Sequence, residues 1–127
     1  MPSKKTETTK VLIIEDEPIF RDLAKRMLYG YDCTAVSSIE EARMAFIKKE
    51  PDVVLLDITL PDGSGLELLK EIKEIHSGAR VVMLTRSNLE DDVRSAMQNG
   101  ATGYIIKPLS RRKVKEVMGR FAVRKTA

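Results

Sequence analysis

The chain has 127 residues, of which 43% are hydrophobic and 32% are charged, and these values predict one compact domain without length for a second. No run of about 18 apolar residues occurs, and the first residues lack the apolar segment of a secretory signal. A membrane-spanning or secreted protein is therefore not expected, and we predict a cytoplasmic location. The single cysteine, Cys33, excludes an internal disulfide.

Charge is distributed unevenly along the chain. The net charge is +3, but residues 107–127 carry +7 and residues 1–10 carry +2, which leaves residues 11–106 at −6. An acidic body with a basic last helix favours a cation-binding centre and a separate, positively charged contact face. Ordinary solvated charge explains the basic helix equally well.

The order of apolar and polar segments predicts one alternating domain. Residues 1–9 are polar and without periodicity, which predicts a disordered arm, and residues 125–127 form a short tail. Between them, over residues 10–124, five apolar runs alternate with five segments of helical spacing. The predicted strands cover residues 11–14, 32–36, 53–57, 80–85 and 102–106.

Capping residues mark the predicted helix boundaries. They are Pro18 and Gly30 for the first helix, Ser37 or Ser38 with Glu40 or Glu41 for the second, Ser87 or Asn88 for the fourth and Ser110 for the fifth. The only histidine, His76, falls at the end of the third helix. There it is predicted to act as a C-terminal cap and not as a phosphodonor.

Strands that alternate with helices form βαβ units, which predict a parallel sheet with helices on both faces. The longest apolar runs, at residues 11–14, 53–56 and 81–84, are expected at the centre of the sheet. In a parallel sheet the carboxyl ends of the strands share one edge, and open α/β folds bind their ligands there.

Polar residues follow four of these strands, namely Glu15 and Asp16, Asp57, Thr85 and Lys107. Clustered carboxylates repel unless a cation compensates, and oxygen ligands beside a phosphate favour Mg²⁺. Asp57 is the candidate nucleophile toward phosphorus, because it ends a central strand and precedes a flexible loop. Lys107 and the Thr85 hydroxyl would neutralise charge on the transferred oxygens, while Glu15 and Asp16 would hold the metal.

Five short motifs stand in order along the chain: Ile13–Pro18, Leu56–Gly65, Leu84–Thr85, Gly100–Tyr104 and Lys107–Pro108. Each is weak alone, but together, at these spacings, they are highly specific. They resemble the receiver domain of two-component response regulators, and the resemblance covers residues 10–124. It implies a doubly wound (βα)5, flavodoxin-like fold with strand order 2-1-3-4-5.

The resemblance also implies a signalling switch that is not a dedicated enzyme. Asp57 would accept a phosphoryl group from a sensor histidine kinase or a histidine phosphotransfer protein. The resemblance further implies that Thr85 and Lys107 contact the phosphate and that Thr85 and Tyr104 act as the switch. It also implies a site for Mg²⁺, or alternatively Mn²⁺, formed by Glu15, Asp16, Asp57 and the Thr59 carbonyl. The Lys107–Pro108 bond would be cis.

The implied output is a change in the face formed by the fourth helix, the fifth strand and the fifth helix, which would bind a downstream partner. Because no second domain follows residue 127, we expect output through a partner protein or another phosphotransfer protein, unless the chain is truncated. Homodimerisation on phosphorylation is left open. Membrane binding is not expected, nor is DNA binding through this domain.

Two residues depart from the pattern of the family. Glu15 stands where aspartate is frequent, and Arg86 directly follows Thr85 at a position that is commonly small. We interpret Arg86 as a residue whose guanidinium reaches the phosphoryl oxygens or shields them from water, which would prolong the life of the aspartyl phosphate.

Two other function classes are alternatives to the switch. A phosphatase of the haloacid dehalogenase kind needs a second aspartate two residues after the nucleophile, where this chain has Thr59. A constitutive interaction module or a nucleic-acid-binding module would use the basic residues at the end of the chain. No helix-turn-helix or aromatic platform accompanies them, which speaks against nucleic-acid binding. These residues are Arg111, Arg112, Lys113, Lys115, Arg120, Arg124 and Lys125.

Overall fold

A computed structural model describes residues 9–86 and 90–120. Within these ranges the main strands are β1 (Lys10–Ile14), β2 (Asp32–Val36), β3 (Val53–Asp57), β6 (Arg80–Thr85) and β7 (Gly103–Ile106), and a small hairpin is formed by β4 (Thr59–Leu60) and β5 (Gly63–Ser64). The helices are α1 (Pro18–Met27), α2 (Ile39–Lys49), α3 (Gly65–Ile75), α4 (Glu90–Gln98) and α5 (Arg111–Arg120). Residues 1–8, both proposed caps of α4 and the C-terminal tail lie outside the described residues.

The five main strands form one parallel sheet in the order β2-β1-β3-β6-β7. Counted along these five strands, this is the predicted order 2-1-3-4-5. The three strands with the longest apolar runs occupy the centre, and every residue of β3 is buried. The prediction of a doubly wound α/β fold is therefore confirmed.

Alternate residues of the central strands face two separate hydrophobic layers. Leu12, Val54 and Met83 pack with buried residues of α2, α3 and α4 on one face. Ile13 and Leu55 point to the other face, where they pack with residues of α1 and α5. This alternation explains why the central strands are polar only at their ends, since both faces of the sheet are covered. No helix of the described ranges is long and apolar enough to span a bilayer.

Several predicted helix boundaries are confirmed. Pro18 occupies the first turn of α1, the Ser38 side chain accepts a hydrogen bond from the Glu41 amide at 3.2 Å, and His76 is the C-terminal cap of α3. The Ser110 hydroxyl accepts the Lys113 amide at 3.2 Å. Of the predicted arm, Thr9 is buried and its carbonyl accepts the Asp32 amide at 3.0 Å.

The segment after β3, predicted only as a flexible loop, forms the hairpin of β4 and β5. Asp62 at its tip accepts hydrogen bonds from the amides of Ile39 at 2.9 Å and Glu40 at 3.2 Å. These amides begin α2, where a carboxylate also interacts favourably with the helix dipole. The amide of Ile39, and to a lesser degree that of Glu40, lowers the pKa of Asp62. Asp62 thus links the hairpin to the start of α2, the helix that connects β2 to β3.

Replacement of Asp62 tests this tie. Asp62→Ala removes the acceptor of two helix amides, so we expect a lower midpoint in urea unfolding followed by circular dichroism. Asp62→Asn keeps one acceptor oxygen and should lose less stability. Equal midpoints for wild type and Asp62→Ala would show that the tie does not stabilise the fold.

Candidate functional site

A cavity of about 430 Å³ opens at the carboxyl edge of the sheet. It is lined by Asp16, Glu17, Asp57, Ile58, Thr59, Thr85, Arg86 and Asp92. Most of the predicted site residues therefore share one cavity, as expected when parallel strands end at the same edge. Tyr104 lies elsewhere, beside a second cavity between β7 and α5, and its side chain is partly exposed.

Buried polar side chains are concentrated at this edge. Of the buried polar or charged residues in the described part of the chain, only Thr9 lies away from it. The other four are Glu15, Asp57, Thr85 and Lys107, each of which ends or directly follows a strand of the sheet. Because burial of a charge is unfavourable unless the charge is paired, these side chains must compensate one another.

Lys107 supplies that compensation. Its ammonium nitrogen lies 2.6 Å from Glu15 Oε1 and donates a hydrogen bond to Asp57 Oδ2 at 3.2 Å. It also lies 3.6 Å from Glu17 Oε1 and 4.4 Å from the centre of the Phe20 ring, a distance at which a cation interacts favourably with the aromatic face. The predicted Lys107–Pro108 cis bond is present.

Burial and the neighbouring charges shift the pKa values of Glu15 and Lys107. Burial raises the pKa of Glu15, repulsion from Asp57 adds to the effect, and Lys107 offsets part of it. Burial alone would lower the pKa of Lys107, but the carboxylates of Glu15 and Asp57 outweigh it and raise that pKa. Lys107 therefore stays charged across the physiological range, as the proposed phosphate contact requires.

The backbone around Asp57 is closely packed. The Thr59 amide donates to Asp57 Oδ1 at 3.2 Å, and the Gly65 amide donates to the Ile58 carbonyl at 2.6 Å. A Cβ atom on Gly65 would lie 2.0 Å from the Asp57 carbonyl oxygen. Only glycine fits where α3 begins, so Gly65 sets the position of the loop that follows the candidate nucleophile.

Arg21, which is not among the predicted site residues, holds the acidic segment in place. Its guanidinium Nη1 donates to the carbonyls of Glu15 at 3.0 Å and Asp16 at 3.1 Å. The Glu17 amide also donates to Glu15 Oε2 at 3.0 Å. The available sequence signal was a basic residue one turn into the helix that follows three acidic residues.

Oxygen atoms of Glu15, Asp16 and Glu17 lie within 4.8 Å of one another, a spacing that suits a cation. Glu15 Oε1 is buried and accepts no hydrogen bond of good geometry, although Lys107 is close. This donor set fits Mg²⁺. The cluster includes Glu17, which is not among the predicted metal ligands, and does not include Asp57, which is. The carboxylate oxygens of Asp57 instead accept hydrogen bonds from the Thr59 amide and the Lys107 ammonium.

Arg86, for which a contact with the phosphoryl oxygens is predicted, lines the cavity and is paired with an acidic residue. Its guanidinium forms an ion pair with Glu17 at the mouth of the cavity and lies 5.6 Å from the centre of the Phe20 ring. Thr85 is buried directly before it, and the Thr85 carbonyl accepts the Lys107 amide at 2.7 Å. The last residue of β6 and the residue that follows it therefore both line the cavity.

Comparison with known proteins identifies this arrangement. A family profile described as the response regulator receiver domain matches residues 11–118. The chain belongs to this family. The resemblance inferred from the five motifs is confirmed, and so is the strand order that it implied.

Relatives of this receiver domain differ in how much of their length it covers. It is 34% identical over 114 residues to the chemotaxis protein CheY of Bacillus subtilis, covering 87% of this chain and 95% of that protein. It is 33% identical to the phosphate regulon transcriptional regulatory protein PhoB of Pseudomonas aeruginosa, covering 82% of this chain but 47% of that protein. The chain thus spans about half the length of PhoB.

A solved structure agrees with the fold. A CheY-like receiver domain protein from Methanospirillum hungatei JF-1 superposes with a TM-score of 0.84 and 25% sequence identity, covering 90% of this chain and 93% of the other. The agreement extends over most of both chains, which supports the receiver-domain fold.

Removal of the Lys107 ammonium should destabilise the fold through Glu15. We expect Lys107→Gln to lower the free energy of unfolding by about 1–3 kcal/mol at neutral pH, because two carboxylates lose their buried partner. The loss should shrink as the pH falls, since a raised pKa in the folded state means that protonation of Glu15 favours folding. Urea unfolding in metal-free buffer measures it.

The matched control is Glu15→Gln in the Lys107→Gln background. If the penalty arises from an unpaired carboxylate, this second change restores most of the lost stability. If the double variant has the same free energy of unfolding as Lys107→Gln alone, the loss arises instead from the packing of the aliphatic part of the lysine side chain.

Replacement of Gly65 tests the close contact with Asp57. Gly65→Ala places a methyl group against the Asp57 carbonyl, which is backbone and cannot move alone, so we expect a loss of about 1–3 kcal/mol. The control Gly119→Ala adds a methyl group in α5, where no atom of the described residues lies within 4 Å apart from the chain neighbours and the backbone of the same helix. Urea unfolding of both variants checks the difference, and equal stability would contradict the contact.

Proposed function

We propose that this receiver domain is a phosphorylation switch in which Asp57 is the phosphoryl acceptor. The observation that carries the proposal is the placement of Asp57, a buried carboxylate at the end of β3 that faces the cavity and is held by Lys107. A carboxylate oxygen of Asp57 attacks the phosphorus of a phosphohistidine on a sensor histidine kinase or a histidine phosphotransfer protein. The P–O bond forms as the P–N bond to the donor imidazole breaks, which leaves an acyl phosphate.

The surrounding residues have defined parts in this transfer. Glu15, Asp16, Asp57 and the Thr59 carbonyl would hold Mg²⁺ or Mn²⁺, which supplies positive charge to the phosphoryl oxygens. The carboxylates of Glu15 and Asp57 keep Lys107 charged. Because its ammonium group already contacts Asp57, it lies close enough to contact a phosphoryl group bound there. The Thr85 hydroxyl donates a hydrogen bond to the same group. Phosphoryl transfer depends mainly on such positioning and charge neutralisation.

The output is a change at the face formed by α4, β7 and α5. Thr85 at the end of β6 moves toward the phosphoryl group, and Tyr104 on the adjacent strand β7 changes its side-chain position in response. The supporting geometry is the pairing of these strands, in which Thr85 lies opposite Ile106 and Met83 opposite Tyr104. Phosphorylation thus shifts a two-state equilibrium toward the form that binds a downstream protein.

Intact mass measured after incubation with acetyl phosphate tests the acceptor. Wild-type protein should gain one phosphoryl group with Mg²⁺ and should not gain it in the presence of a chelator. The adduct should be released by hydroxylamine, as expected for an acyl phosphate. Asp57→Asn should gain no adduct under any of these conditions.

Circular dichroism of Asp57→Asn provides the control for folding. An adduct on folded Asp57→Asn would assign the acceptor to another residue. No adduct on wild-type protein, together with no binding of the phosphoryl mimic beryllofluoride, would contradict the proposed switch and favour a constitutive binding module.

A further inference from the structure

An exposed ion pair crosses the mouth of the cavity that contains Asp57. Glu17 lies between β1 and α1, Arg86 directly follows β6, and the guanidinium Nη2 contacts Glu17 Oε1. The pair joins two segments that are 69 residues apart in the chain. Both residues line the cavity, so their charges face the position that a phosphoryl group on Asp57 would occupy.

This pair is more easily broken than the buried cluster beneath it. The side chains of Arg86 and Glu17 are 63% and 39% exposed, whereas those of Lys107 and Glu15 are 3% and 1% exposed. Exposed ion pairs contribute little to stability because water competes for both charges. Arg86 can therefore leave Glu17 at small energetic expense and without unfolding the site.

Arg86 already interacts with the charges of the buried cluster. Its contact with Glu17 is the main cause that raises the pKa of Arg86, and the charges of Asp57 and Glu15 act in the same direction. A phosphoryl group on Asp57 adds negative charge at this position. A guanidinium binds phosphate oxygens through parallel N–H donors, so the phosphoryl group competes directly with the Glu17 carboxylate for Arg86.

We propose that Glu17 sets the lifetime of the aspartyl phosphate by competing with the phosphoryl group for Arg86. In the unphosphorylated protein Arg86 is paired with Glu17. After phosphorylation Arg86 exchanges between Glu17 and the phosphoryl oxygens, and only the second position blocks approach of the hydrolytic water. Glu17 is thus a positioning residue that acts through Arg86. The inference rests on the proposed function of Asp57 as acceptor.

The lifetime of the phosphorylated form tests the competition. Protein is phosphorylated with acetyl phosphate, the donor is removed, and loss of the phosphoryl group is followed by intact mass at saturating Mg²⁺. Glu17→Gln keeps the shape of the side chain but removes its charge, so the half-life should lengthen by roughly two- to fivefold, the range expected for loss of an exposed ion pair. Arg86→Gln should shorten it relative to wild type.

The double variant separates this role from a direct one. If Glu17 acts through Arg86, then Glu17→Gln has no effect on the half-life in the Arg86→Gln background. The control Glu71→Gln breaks an ion pair with Arg43 that is comparably exposed, at 54% and 36% of the two side chains, and lies outside the cavity. That variant should keep the wild-type half-life.

Beryllofluoride binding, measured by calorimetry with Mg²⁺, gives a second result that does not depend on hydrolysis. Glu17→Gln should bind the mimic more tightly by a similar factor, and only when Arg86 is present. A half-life of Glu17→Gln that is unchanged or shorter, or a lengthening that persists without Arg86, would overturn the inference. Wild-type protein that forms no adduct and binds no beryllofluoride would instead contradict the proposed function.

Discussion

The ammonium group of Lys107, held between the carboxylates of Glu15 and Asp57, is the interaction on which this site depends. Two buried carboxylates at one sheet edge would repel each other without it. Lys107 follows β7, which is separated from β3 by β6, a span of roughly 10 Å across the sheet. Only a long cationic side chain that crosses the end of β6 can reach both carboxylates. The strand order therefore determines that a lysine after β7 can neutralise the acidic residues after β1 and β3.

A second constraint acts through the backbone after Asp57. The hairpin of β4 and β5 turns the chain back so that Gly65 approaches the Asp57 carbonyl, and Asp62 at its tip binds the first amides of α2. The segment that carries the proposed phosphoryl acceptor is therefore fixed by contacts with two helices. A rigid acceptor is consistent with phosphoryl transfer, in which positioning provides much of the rate enhancement.

The site contains two layers of charge that differ in exposure. The inner pairs of Lys107 are buried and hold Asp57 in place, whereas the outer pair of Glu17 and Arg86 is exposed to solvent. Phe20 contacts both layers, since its ring lies near the ammonium and the guanidinium. If Asp57 is the phosphoryl acceptor, as we propose, the exposed pair can change the lifetime of the phosphoryl group without a change in the position of Asp57.

Local patterns in the sequence were sufficient for the strands, most helix boundaries and the residues that end the strands, because apolar periodicity and capping depend on neighbours within a few positions. The resemblance to receiver domains supplied the strand order. Only the tertiary structure showed that Arg86 pairs with Glu17, that Arg21 binds the acidic segment and that Asp62 binds α2. These contacts depend on side-chain direction and on segments brought together by folding, and no spacing within one element encodes them.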